Sequence, residues 1–490
     1  MTDTDRWPAG PGSGTVPGFR AGFDSLDTEI TADLPVRGRL PAWLTGTLLR
    51  NGPARFEAGD KPFRHWFDGQ AMLHRFAIAD GRVSYRNRFL DTASSRSVRQ
   101  RGRISYPEFA TDPCSSLFGR FFTRFSRRAT PNAAVSIAVM SDRFVALTET
   151  PLPVEFSPDT LATAGVVGYQ DALKGQVTTA HPHREPDGGG LLNYVLRFGR
   201  SSEYRVYRQR GGTLRRDLLA AVPAGRPAYM HSFGVGRRYL VLAEFPLVVN
   251  PLALLLSGRP FIENFRWRPE RGTLITVVDL ADGSVAGRHQ AEPFFAFHHV
   301  NAYEDGRELV VDLCAYRDAQ IVSALYLDAL RAGRGIPLAR PTRYRLDLRT
   351  GRVRPEPLAG ESLELPGIAY RRHNGRPYRH AYGVGARGGS GDDFTNQLVK
   401  VDVGTGECRV WHEAGCYPGE PVLVPAPAAA AEDDGVVLSV VLDPGARRSY
   451  LLVLDARSFT ELARAEVPHA IPFGFHGRFT PDRPPAGESP

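Results

Sequence analysis

The chain has 490 residues, 42% of them hydrophobic and 23% charged, a composition that excludes a disordered or fibrous protein. Its formal net charge of +8 rests almost wholly on arginine, since Lys61, Lys174 and Lys400 are the only lysines. The arginines are scattered and accompany no nucleic-acid motif, which argues against a nucleic-acid partner.

Residues 1–35 open polar and glycine-rich, without the charged-then-apolar pattern of a signal peptide, and read as an N-terminal extension or strap. From residue 36 to 490 no Pro/Gly/Ser linker divides the chain, so this part reads as one domain. Glycine and proline recur throughout it, favouring many turns, few long helices and an all-β fold. One pattern then repeats: an apolar strand, a turn of Asp, Gly, Ser or Thr, and a second strand. It occurs at Leu73–Tyr85, Val154–Val166, Tyr204–Leu214 (the weakest copy), Leu274–Val285, Tyr344–Val353, Leu398–Val410 and Leu451–Leu462. Intervals of roughly 50 to 80 residues suit one four-stranded blade with its loops, and seven copies predict a seven-bladed β-propeller.

Two segments stand outside the repeat. Thr111–Arg128 spaces Leu117, Phe118, Phe121, Phe122 and Phe125 helically and interleaves Arg120, Arg124, Arg127 and Arg128. A basic amphipathic helix of this kind suits either a membrane interface or a buried cap. Pro246–Phe265 supplies a second apolar patch, whose longest run, Pro246 to Leu256, is too short to span a bilayer. Cys114, Cys314, Cys408 and Cys416 form no CxxC pair and suit a reducing cytoplasm without disulfides.

Four histidines lie in aromatic or apolar surroundings: His181 in TTAHPH, His231 in YMHSFG, His298 in FAFHHVNAYEDG and His476 in PFGFHGRF. Three glutamates do likewise: Glu149 in VALTETP, Glu364 in LELPGIAY and Glu420 in YPGEPVLV. Such groups need partners to offset their desolvation. Positions 181, 231, 298, 364, 420 and 476 are separated by 50, 67, 66, 56 and 56 residues, about one per blade, with Glu149 on the preceding blade. Residues recurring once per blade can converge on the propeller axis, where a single ion could meet them. Imidazole suits iron, copper or zinc. Glutamates accepting the far N–H would fix each ring, and three glutamates for four histidines leave one held less firmly. Spacing alone selects neither the metal nor His298 over His299.

The segments HWFDGQAMLHRF, TAHPH, YMHSFG, FHHVNAYED, YPGEPVLV, DDGVVLSVV and PFGFHGRF, collinear between Gly38 and Phe479, resemble the carotenoid cleavage oxygenase family. The resemblance is to its animal branch of β-carotene oxygenases and retinal pigment epithelium isomerohydrolase. It implies an all-β seven-bladed propeller with a helical and loop cap over an axial metal site. It further implies one iron(II) per chain on His181, His231, His298 and His476, with Glu149, Glu364 and Glu420 orienting them. Thr148 matches a threonine whose methyl group restricts one open iron position, while His65, His74, His183 and His299 match non-ligands. Asp68 and Gly69 in WFDGQ read as a structural turn.

The activity implied is dioxygenase cleavage, with O2 as co-substrate, of a carotenoid or apocarotenoid to retinal-type aldehydes. The alternative within the branch is a non-oxidative isomerase or isomerohydrolase on the same iron. Stilbene cleavage is a lesser alternative, since none of the three lysines matches the one that contacts the phenol in those relatives. The animal relatives use the segment matching Thr111–Arg128 to reach membrane-dissolved substrates, and Pro246–Phe265 is expected to join it at the rim of a tunnel mouth on a membrane surface. The expectation is a cytoplasmic protein, free or peripheral on a membrane, with no obligate protein partner.

Overall fold

The structure is a computed structural model and describes residues 18–112, 129–388 and 393–481. Turn chemistry sets its hairpins. Between strands Gln70–Ala79 and Arg82–Phe89, Asp80 and Gly81 both take left-handed angles (φ 50° and 72°), the geometry that matches the strands' twist. The seven expected hairpins fall in seven separate antiparallel sheets of four to six strands, and these are the blades of a seven-bladed propeller. Strands near the axis are buried on both faces, as in Gly46–Arg55, whereas outer strands such as Val353–Pro357 are largely exposed.

The ring closes at both ends of the chain. Blade 1 combines Thr31–Leu34, Gly46–Arg55, Gln70–Ala79 and Arg82–Phe89 with the C-terminal strand Gly477–Pro481, which pairs Gly46↔Pro481 through Arg50↔Gly477. Blades 2 to 6 follow, with first strands at Ser136–Met140, Val177–Thr178, Gly234–Val235, Phe295–Asp305 and Glu364–Gly367. Blade 7 begins at Tyr417–Pro418 and gains the N-terminal strand Val36–Gly38 at its outer edge.

The stretch expected as an extension or strap is packed closely from residue 18 to 34. Phe19 and Phe23 are fully buried among Trp66, Phe394 and Phe473, with ring centroids 5.2–5.8 Å apart. Burial of each ring contributes about 1.5–3 kcal/mol.

Insertions build a cap on one face. Helix α1 (Ala93–Arg101) follows blade 1, starting where Thr92 Oγ1 accepts from Ser95 N at 3.1 Å and stopping at left-handed Gly102. Blade 4 is interrupted by α2 (Pro251–Leu256), and blade 5 by α3 (Gln320–Ala324) and α4 (Leu327–Arg331). The WFDGQ turn anchors them. Asp68 is fully buried and accepts from His65 N, Ala110 N and Thr111 Oγ1, and burial pushes its carboxyl up to about 6. His65 Nε2 meets Val322 O of α3 at 3.0 Å. Beyond Asp112 the basic segment Thr111–Arg128, with Cys114, lies outside the described residues. Among those described, no helix is long and apolar enough to cross a membrane.

Candidate metal centre

Each blade contributes one of the seven singled-out residues to the axis. His476 immediately precedes the strand that closes blade 1, and Glu149 follows the second strand of blade 2, Arg143–Leu147. His181, His231, His298, Glu364 and Glu420 lie in or beside the first strands of blades 3 to 7. Backbone ties hold them in place. Thr179 Oγ1 accepts from His181 N at 3.0 Å and donates to His231 O, joining blades 3 and 4. His476 is pinned through Asn51 N to its carbonyl at 2.9 Å and through its own N–H to Val135 O at 3.2 Å.

The four imidazoles converge, with one ring nitrogen from each lying within 4.8 Å of the others. His181 Nε2 is 3.0 Å from His231 Nε2, and His298 Nε2 is 3.2 Å from His476 Nε2. The far nitrogens face carboxylates: His231 Nδ1–Glu149 Oε1 2.7 Å, His298 Nδ1–Glu364 Oε2 2.6 Å and His476 Nδ1–Glu420 Oε1 2.7 Å. A carboxylate accepts only, so each Nδ1 carries the proton and each Nε2 presents a lone pair. Among the described residues no carboxylate reaches His181 Nδ1. Burial, then the other three histidines, pushes His181 well below the usual imidazole range, and burial lowers His476 as well.

Lone pairs 3.0–3.2 Å apart repel unless a cation lies among them. Bonds of about 2.0–2.1 Å from one ion to two imidazoles at right angles give nitrogen spacings near 3.0 Å. The donor set therefore fits a divalent transition metal with four neutral nitrogen ligands.

The carboxylates are themselves held. Tyr229 Oη donates to Glu149 Oε1 at 2.8 Å. Glu420 accepts from the Arg50 guanidinium and from Gly477 N at 2.8 Å, and Glu364 from Leu365 N at 2.8 Å. Burial acts to raise both Glu364 and Glu420. It is overcome, at Glu364 by His298, the Leu365 amide and the Tyr316 hydroxyl, and at Glu420 by Arg50, His476 and the Gly477 amide. Both are held below the usual carboxylate range. Burial pushes the Tyr229 and Tyr316 hydroxyls far up, keeping them neutral donors.

His299 points elsewhere, its Nδ1 2.8 Å from Ser232 Oγ, so His298 is the member of the pair that joins the cluster. His183 meets Tyr370 Oη at 3.0 Å and His74 meets Tyr85 Oη at 2.8 Å. Thr148 precedes Glu149, is half-buried, and is not part of the cavity wall. Sequence reasoning missed Arg50 and Tyr229. Tyr229 carried a weak signal, two residues before His231 in YMH; Arg50 in LLRNGP carried none.

A cavity opens onto His231, His298, His476 and Glu364, with about 890 Å³ of empty space including its open mouth. Phe67, Phe297 and Phe475 line its end at the histidines, while Ile321, Leu325 and Ile336 from the blade 5 insertion roof it. Phe67 sits centrally, with centroids 5.8 Å from Phe297 and 5.2 Å from Phe475. An apolar chamber ending at a cluster of nitrogen lone pairs favours a long apolar ligand and excludes water from the reacting end.

Known proteins resemble this chain in sequence and fold. Residues 23–481 match the family described as retinal pigment epithelial membrane protein (RPE65). The chain is 37% identical over 500 residues to the carotenoid isomerooxygenase of Galleria mellonella, covering 94% of this chain and 96% of that one. It is 36% identical over 512 residues to the mitochondrial carotenoid-cleaving dioxygenase of Pongo abelii, covering 91% of each. A variant of Synechocystis apocarotenoid oxygenase superposes with a TM-score of 0.85 at 27% identity, over 95% of this chain and 98% of that one. The cobalt-substituted Synechocystis enzyme gives the same values.

Proposed function

The chain belongs to the retinal pigment epithelial membrane protein family, the carotenoid cleavage oxygenases, and on that premise we propose that it is an iron(II)-dependent dioxygenase cutting a carotenoid or apocarotenoid double bond to two aldehydes. The observation that carries this reading is the convergence of His181, His231, His298 and His476 at the end of an apolar cavity. These four histidines would hold the iron, oriented by Glu149, Glu364 and Glu420. When bound, the ferrous ion supplies the redox-active centre beside which dioxygen and an alkene react. The substituted Synechocystis relative carries cobalt, which supports a transition metal at this position.

The reaction balances without an added reductant: the C=C and O–O bonds break and two C=O bonds form. No proton needs to be moved, and the cavity wall suits that. Among the described residues its one carboxylate, Glu364, is already engaged by His298. Phe67, Phe297 and Phe475 pack against a polyene and keep water from the cleavage site. The roof formed by Ile321, Leu325 and Ile336 sets how far the chain enters, and so which bond lies at the histidines. No lysine lines the cavity, which disfavours a phenolic stilbene held by a lysine.

The name of the moth relative, an isomerooxygenase, favours keeping isomerisation as the second reading. Iron analysis tests the metal assignment. Wild-type protein is expected to hold one iron per chain, and His231→Ala almost none; equal iron in both would refute it.

We also propose that the cap face rests on a membrane and takes its substrate there. In α2, Leu252 and Leu256 are 64% and 67% exposed beside buried Leu254. Sedimentation with phospholipid vesicles should carry down wild type and leave the Leu252→Ser/Leu256→Ser variant largely in solution. Equal partition would contradict the docking face.

A further inference from the structure

Arg50 is the buried cation of the centre. It lies on the blade 1 strand Gly46–Arg55, is only 5% exposed, pairs with Glu420 and donates through Nη2 to Phe475 O at 2.9 Å. The fold keeps room for it. Gly477 sits opposite Arg50 in the ladder, and a Cβ there would lie 2.4 Å from Arg50 Cδ. Its reach places a guanidinium one carboxylate away from His476, a connection that only the closed ring of blades makes.

The charges in this buried cluster can be counted. Glu149, Glu364 and Glu420 each accept hydrogen bonds as carboxylates and bring three negative charges. The four histidines, as neutral imidazole ligands, bring none; in His231, His298 and His476 the proton sits on the nitrogen facing a carboxylate. Tyr229 keeps its proton as the donor to Glu149, and burial keeps Tyr316, Cys314 and His74 neutral, His74 being the residue that pairs with Arg50 across the blade 1 ladder. Among the described residues, Arg50 is the cation hydrogen-bonded to these carboxylates. We propose that Arg50 is the charge-balancing residue of the centre, leaving its buried ligand cage two units negative and so matched to a divalent rather than a trivalent ion.

The consequence follows from the cost of uncompensated charge in a low-dielectric interior. With Arg50 present, a ferrous ion brings the buried assembly to neutrality and a ferric ion leaves it positive. Without Arg50 the cage is three units negative, and neutrality comes with the ferric ion instead. Arg50 therefore holds the iron in its ferrous form. It acts through Glu420 and His476 and need not touch substrate. This inference rests on the iron reading above.

The test is the ferric/ferrous midpoint potential of the full chain, loaded anaerobically with Fe(II) and titrated while the ferric EPR signal is followed. Arg50→Met is expected to favour the ferric form tenfold or more, a fall of about 59 mV or more for a one-electron couple. Glu420→Gln removes a negative charge and should shift the potential the other way. The double variant Arg50→Met/Glu420→Gln should return close to wild type, as should Arg50→Lys, which keeps the charge. Unchanged potentials in the single variants overturn the proposal, as does a double variant that keeps the shift of Arg50→Met. If Arg50→Met does not fold, Glu420→Gln and Arg50→Lys still decide: a rise in the first with none in the second supports it, and any other pair of results overturns it. Wild type that takes up no iron refutes the iron reading itself, a result distinct from iron-loaded protein whose potential ignores Arg50.

Discussion

Glu149 and Thr148 are neighbours in sequence with different surroundings. Glu149 accepts from His231 Nδ1 and from Tyr229 Oη, whereas Thr148 is half-buried beside it and lines no part of the cavity. Removing the orienting carboxylate with Glu149→Ala should weaken Fe(II) binding about 10–100-fold. Thr148→Ala should leave it nearly unchanged, because Thr148 neither ligates nor orients a histidine. Competition against a chromophoric chelator measures both, and equal losses would contradict the separation of roles. The residues legible in the sequence were those whose neighbours in the chain are apolar. His298 and His299 were inseparable because the ladder shifts register on either side of His299, so alternation along the strand fails there. Arg50 could not be read at all, since its partner Glu420 is 370 positions away and no local pattern announces it.

At the scale of elements, the ring depends on its clasp. The strand Gly477–Pro481 fills the edge of Gly46–Arg55 and sends Gly477 N to Glu420, so closure and site share the same residues. Truncation after His476 should cost on the order of 3–5 kcal/mol, from ladder hydrogen bonds worth about 1 kcal/mol each. It should also empty the centre of iron. A urea midpoint unchanged from wild type would sink this reading of the clasp. The outer hairpins were legible because long apolar strands flank turns such as Asp80–Gly81. First strands such as Val177–Thr178, Gly234–Val235 and Tyr417–Pro418 are two residues long and show no periodicity. These short strands flank His181, His231 and Glu420. Spacing between blades therefore located the site where strand pattern could not.

At the scale of the whole molecule, seven blades hold four histidines rigidly while the insertion in blade 5 shapes the cavity that leads to them. The rigid half of this division was readable from repeats. The cavity was not, because Phe67, Phe297, Ile321 and Phe475 come from distant parts of the chain and meet only after folding. The family resemblance supplied what spacing left open, the choice of iron and the cleavage of a polyene. The most direct test is turnover of β-carotene and a panel of apocarotenoids in detergent by iron-loaded protein, under ¹⁸O2 and under argon, with products trapped by reduction and weighed by mass spectrometry. Two aldehyde-derived fragments in equal amounts are expected, each carrying one ¹⁸O, with no product under argon. Product formed undiminished without O2 would contradict the dioxygenase and leave isomerisation in its place.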